Sequence, residues 1–157
     1  MYRIPIYQVK LDRDGSQASE RKKVDCAATD ARILQQYLDG ADREHFVVLL
    51  LDTQNQIIGI HTVTVGTLDA SLVHPREVFK TAILANAASV LLAHNHPSGD
   101  PTPSAEDLVV TRQLNEAGIT IGIEVLDHVV VGDVDRYYSF REAGRMESGS
   151  MAKAGAA

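Results

Sequence analysis

Residues 89–107 read SVLLAHNHPSGDPTPSAED, and the change of character along this stretch decides the fold. The apolar run 89–93 reads as a short buried strand ending at His94. Residues 97–103 hold Pro97, Gly99, Pro101 and Pro103, which cannot continue as regular structure. Ser104 then opens a helix expected to run through Glu116, with Gly118 as its stop. Residues two apart on an extended segment point the same way, so His94 and His96 project to one side. The loop returns Asp107 to them in the first helical turn. Each neutral imidazole offers one nitrogen to a metal, and two histidines with one carboxylate suit zinc, with water as fourth ligand. A plainer reading stands beside this one. Ser104-Ala105-Glu106-Asp107 also has the form of a capping box, in which Ser104 and Asp107 serve only the helix, and short motifs match by chance. The two roles can coexist, because a cap would hold Ser104 at the mouth of the site.

Outward from this stretch, residues 46–51 are continuously apolar, the pattern of a strand buried on both faces. Residues 52–55 form a turn, and 56–65 follow as a β-branched strand, so the pair reads as a hairpin. Pro75 suits the first position of a helix running to about Ala88. Before the hairpin, residues 4–11 read as a first strand and 12–19 as a loop. A short helix over 30–38 follows, with Thr29 or Asp30 as cap and Gly40 ending it. Beyond the motif, 119–126 and 129–131 read as strands, and Ser139 as the cap of a last short helix near Arg141. Residues 147–157 are rich in Gly, Ala and Ser and are expected to be disordered. The sum is one α/β domain over residues 1–146, with a mixed central sheet and about three helices.

The whole chain has 157 residues, 45% of them apolar, which fits one domain with a real core. No apolar run approaches the roughly 18–20 residues that span a bilayer, so no membrane partner is expected. The N-terminus lacks a signal-peptide layout, and the lone Cys26 suits a reducing compartment; both point to the cytoplasm. Fifteen basic against 21 acidic residues leave a net charge of −6. The only basic cluster, Arg21-Lys22-Lys23, sits beside Glu20 and Asp25. Nucleic acid is therefore not an expected partner, whereas an oligomer is allowed. One cysteine also cannot supply the His/Cys/Cys ligands of a zinc deaminase. His45, His61 and His74 have no partner at ligand spacing and read as structural. His128, next to Asp127, reads as half of a hydrogen-bonded structural pair rather than a ligand, with support of the metal ligands from behind as the alternative role for either residue.

The spacing H-x-H-x7-S-x2-D resembles the JAMM motif of MPN-plus (JAB-domain) metalloproteases. The block 92–101 with Ser104 and Asp107 is similar to the bacterial RadC-like branch. So are Arg43-Glu44-His45-Phe46, Gly66-Thr67-Leu68, Pro75-Arg76-Glu77-Val78-Phe79 and Leu126-Asp127-His128. The resemblance covers a core of about 41–144. It implies a cytidine-deaminase-like α/β fold with a curved mixed sheet flanked by helices. It implies one Zn2+ per chain on His94, His96 and Asp107. It implies that Ser104 positions the substrate carbonyl and stabilises the oxyanion, and that a glutamate upstream, carried to Glu44, handles the proton. Full-length RadC-like proteins have an N-terminal helix-hairpin-helix region associated with DNA. The residues before Ala41 show no such motif, so the chain is expected to be a stand-alone catalytic-type domain.

The expected function is a zinc-dependent hydrolase acting on a peptide, isopeptide or other amide bond, with a peptide or protein as substrate. The alternative is a non-catalytic protein-interaction scaffold, with DNA-repair-associated partners, of the kind that MPN domains lacking the motif provide.

Overall fold

The structure, a computed structural model, describes residues 1–66 and 73–146. Five strands form one sheet in the order β2-β1-β3-β4-β5. β1 (His45–Leu51) and β2 (Ile57–Val65) are the expected antiparallel hairpin. β1 also pairs antiparallel with β3 (Ser89–Asn95). β3 runs parallel to β4 (Glu124–Val131), and β5 (Tyr137–Ser139) closes the far edge antiparallel to β4. A parallel pair needs a crossover, and α3 (Ala105–Ile121) supplies it. The other helices are α1 (Ala27–Tyr37) and α2 (Pro75–Leu84). The expected α/β class, mixed sheet and three helices are all present.

β1 and β3 are buried along almost their whole length because the sheet is covered on both faces. Side chains alternate along a strand, so each strand feeds two cores. Phe46, Val48, Leu50, Val90 and Leu92 pack with Val78, Phe79 and Ala82 of α2 and with Val110 and Leu114 of α3. Val47, Leu49, Leu91, Ala93 and Val129 face the other way and pack with Ala31 and Leu34 of α1. His94 continues the first set and is itself fully buried.

Several expectations are corrected. Residues 4–11 form no strand: they carry no regular structure, and Ile4, Ile6 and Tyr7 are 80%, 97% and 84% exposed. Apolar alternation makes a strand only where an edge and a cover exist; here the chain meets β2 only later, in the Lys23–Gln56 bridge. Helix α1 starts earlier than expected, with Cys26 as N-cap and no side-chain cap bond, while Asp30 is buried inside the first turn. Helix α2 ends four residues early, where Asn86 takes a positive φ of 54° and turns the chain into β3. Helix α3 runs through Gly118 to its left-handed cap at Gly122. Residues 119–121 are therefore helix, and the two strands expected over 119–131 are the single strand β4. Ser139 lies in β5 and begins no helix; its Oγ accepts from the Glu142 N–H at 3.0 Å within a turn. The tail expected to be disordered, 147–157, lies outside the described residues, as does part of the 66–68 segment. Among the described residues no helix is long and apolar enough to cross a membrane.

Candidate metal centre

His94 stands at the end of β3, paired with Phe46 of β1 on one side and Val130 of β4 on the other. His96 lies just past the strand, where its N–H still donates to the Val131 carbonyl at 2.9 Å. Asp107 sits in the first turn of α3, oriented by a complete capping box. The Ser104 Oγ accepts from the Asp107 N–H at 3.1 Å, and the Asp107 Oδ2 accepts from the Ser104 N–H at 2.8 Å. The two readings of Ser104-x-x-Asp107 therefore coexist: the box that caps the helix also aims Asp107 at the histidines.

The three side chains converge. His94 Nε2 is 3.1 Å from His96 Nε2 and 3.2 Å from Asp107 Oδ1; His96 Nε2 is 3.1 Å from Asp107 Oδ2. Donor atoms about 2.0–2.1 Å from a tetrahedral zinc lie about 3.3 Å from one another, so the grouping has the dimensions of three corners of such a site. His94 and Asp107 are 0% and 2% exposed while His96 is 13% exposed, so the approach from solvent lies on the His96 side.

Hydrogen-bond accounting supports a cation at the centre. The His96 Nδ1 lies 2.8 Å from the Asp100 carbonyl. A carbonyl only accepts, so the proton is on Nδ1 and, in the neutral ring, the Nε2 lone pair faces Asp107. A lone pair and a carboxylate at this distance need a positive charge between or upon them, either a metal ion or a proton. The hydrogen bond to Asp107 accordingly raises the His96 pKa against the opposing effect of burial. Burial pushes the Asp107 carboxyl upward, but the imidazoles of His94 and His96 at its oxygens overcome it and hold the group below the ordinary carboxylate range. His94, His96 and Asp107 are accordingly a group that could hold a metal ion.

Glu44 immediately precedes β1. Extending the β1–β3 register, in which Phe46 faces His94, brings it opposite His96, and its charge is among those that raise the His96 pKa. Asn95 pins this segment in place. Its Oδ1 accepts from the His45 N–H at 2.7 Å, and its Nδ2 donates to the Arg43 carbonyl at 3.0 Å, so it grips the backbone on both sides of Glu44. The Ser104 hydroxyl, with one lone pair engaged by the capping box, keeps its proton for a further acceptor at the exposed edge.

His128 and Asp127 are hydrogen-bonded as expected, but through the His128 backbone and not its ring. Neighbours on a strand face opposite ways: Asp127 accepts from the His128 backbone N–H at 2.7 Å, while the His128 ring reaches His94 at 2.8 Å and Thr111 at 2.6 Å. Burial holds the His128 pKa well below its usual value. His74 caps α2, its Nδ1 accepting from the Arg76 N–H at 3.1 Å. The sequence offers His128 a supporting role, but it marks neither Asn95 nor Thr111 as a site residue. Asn95 sits inside H-x-H, where its position was a signal; Thr111 had none.

The model of the RadC-like JAB domain family matches residues 24–145. Among curated proteins, a UPF0758 protein of Desulforamulus reducens is 50% identical over 127 residues, 81% of this chain and 56% of that one. A UPF0758 protein of Rubrobacter xylanophilus is 59% identical over 114 residues, 73% and 49% of the two chains. One of Symbiobacterium thermophilum is 64% identical over 101 residues, 64% and 43%. The chain spans about half the length of these relatives.

Proposed function

The chain belongs to the RadC-like JAB domain family, and from that premise we propose that it is a zinc-dependent hydrolase that cleaves a peptide, isopeptide or other amide bond. The observation that carries this reading is the meeting of His94, His96 and Asp107 at 3.1–3.2 Å, with Glu44 brought opposite His96 by the β1–β3 register. The scaffold alternative requires no such donor set. Zinc held by these three residues would supply an acidified water and a positive charge beside the scissile carbonyl. The remaining steps belong to side chains. Glu44 takes a proton from the attacking water and returns it to the leaving nitrogen, and the Asn95 grip on Arg43 and His45 holds the backbone that carries it opposite His96. Ser104 donates its hydroxyl proton to the carbonyl oxygen as negative charge grows there. Because its lone pair is already fixed by the Asp107 N–H, the hydroxyl is oriented before substrate arrives.

The test is elemental analysis of untagged protein alongside cleavage of a panel of amide, peptide and isopeptide substrates. Wild type should hold about one zinc, and Asp107→Ala should lose it. Glu44→Gln should keep the zinc and lose about 10²–10⁴-fold in turnover. Full activity in Glu44→Gln would remove Glu44 from its role, and full zinc retention in Asp107→Ala would remove the site.

A further inference from the structure

A chain of three buried groups runs from the centre into the core. His94 Nδ1 lies 2.8 Å from His128 Nε2, His128 Nδ1 lies 2.6 Å from Thr111 Oγ1, and Thr111 Oγ1 lies 2.7 Å from the Asp107 carbonyl. We propose that His128, backed by Thr111, fixes the His94 tautomer so that the His94 Nε2 lone pair is presented to the metal, making His128 the positioning residue of the centre.

The direction of every proton follows from the last link. A carbonyl has no proton to give, so the Thr111 hydroxyl donates to the Asp107 carbonyl. Its oxygen must then accept from His128 Nδ1–H. The His128 ring is fully buried with a hydroxyl and an imidazole, and no carboxylate, on its nitrogens, so it is neutral and carries one proton; its Nε2 is a lone pair and accepts from His94 Nδ1–H. That leaves the His94 Nε2 lone pair facing His96 and Asp107. The opposite polarity, Thr111 to His128 to His94 to Asp107, would put a proton on His94 Nε2 and block the position. It would also leave the Asp107 carbonyl without the Thr111 proton.

The packing holds the relay in register. The His128 ring stacks on Phe140 at 5.0 Å and meets Phe46 edge-on at 5.4 Å, and Phe46 also stacks on His94 at 6.1 Å. His128, His94 and Phe46 are all fully buried, so water cannot replace a lost partner. A second bond on the non-ligating nitrogen typically governs metal affinity by 10–100-fold. Here that bond comes from a residue 34 positions away, and Thr111 ties the same relay to the helix that carries Asp107.

The inference rests on the metal reading above, and its test separates the two. Long-range ¹H–¹⁵N spectra of the metal-free protein report which His94 nitrogen is protonated. Protonated Nδ1 is expected, and protonated Nε2 would overturn the proposal whether or not zinc binds. Zinc affinity, measured by competition with a chromophoric chelator, should weaken about 10–100-fold in His128→Leu and recover in large part in His128→Gln, whose amide oxygen can accept from His94. Thr111→Val should also weaken zinc binding, and it supplies this arm should His128→Leu fail to fold. Affinity in the folded relay variants within twofold of wild type would overturn the proposal. Failure of wild type to bind zinc would sink the hydrolase reading, and the His94 tautomer would still decide this one.

Discussion

Asp30 carries its charge in a poor place. It is 1% exposed inside the first turn of α1, and its Oδ1 has no hydrogen-bond partner among the described residues. Burial, with added repulsion from Asp25 and Asp127, raises its pKa from 3.8 to about 6, although a backbone bond at Asp25 and the Arg141 charge act against the rise. The folded protein therefore binds this proton more tightly than the unfolded chain. The stability from Asp30 is fully present below about pH 4 and is lost as pH rises through about 6. Asp30→Asn removes the ionisation and keeps the shape. Denaturant unfolding of both proteins at several pH values isolates the effect, because the other carboxylates cancel in the difference. The variant should gain on wild type by up to about 3 kcal/mol between pH 4 and 7. A difference that stays flat with pH would place the Asp30 charge in contact with solvent. Asp30 shares with Asn95 and His128 a role that only the folded surroundings define.

At the scale of elements, the loop between β3 and α3 is held by close backbone approach. The Asp133 N–H donates to the Gly99 carbonyl at 2.9 Å. A Cβ on Gly132 would overlap that carbonyl and crowd Pro101, and Gly99 itself has a φ of +87°. The same loop brings the Asp100 carbonyl to His96. Gly132→Ala should therefore force the loop away from the end of β4, costing about 1–3 kcal/mol in thermal or denaturant unfolding and weakening zinc binding with it. A variant with normal zinc affinity would show that the loop is not what holds His96. Prolines and Gly99 made this loop legible from sequence, as a pause between strand and helix. The hairpin β1–β2 and the starts of α2 and α3 were legible for similar reasons: a continuous apolar run, a proline at the first helical position, a serine cap. The end of α3 was not. Gly118 looks like a stop, but it is a contact point, where a Cβ would meet the Ile123 carbonyl. The β-branched residues 119–121 favour a strand only in isolation, and here they complete a helix. The motif named the ligands because they lie within fourteen residues of one another, whereas His128 meets His94 only through the β3–β4 pairing and Thr111 meets His128 only where α3 packs on β4.

Across the whole molecule, the centre occupies the place where the sheet changes character. β3 has an antiparallel neighbour in β1 and a parallel neighbour in β4. The carboxyl ends of the parallel pair β3–β4 and the N-terminus of their crossover helix meet there, which is where open α/β sheets receive ligands. An ion on His94, His96 and Asp107 would join β3 to α3, and through the His128 relay it would reach β4, so binding should be felt by the fold as a whole. A ligand that binds only the native state at 100 times its Kd stabilises it by about 2.7 kcal/mol. For a chain of this size each kcal/mol moves Tm by about 2–4 °C. Zinc at that excess should thus raise Tm by about 5–10 °C in wild type and leave His96→Ala unmoved. Magnesium at the same concentration should leave both unmoved, because it takes oxygen ligands in an octahedron, whereas two of the three donors here are imidazole nitrogens. A rise with both metals would point to carboxylates elsewhere on this acidic surface, and a rise retained in His96→Ala would mean that the ion sits at another site.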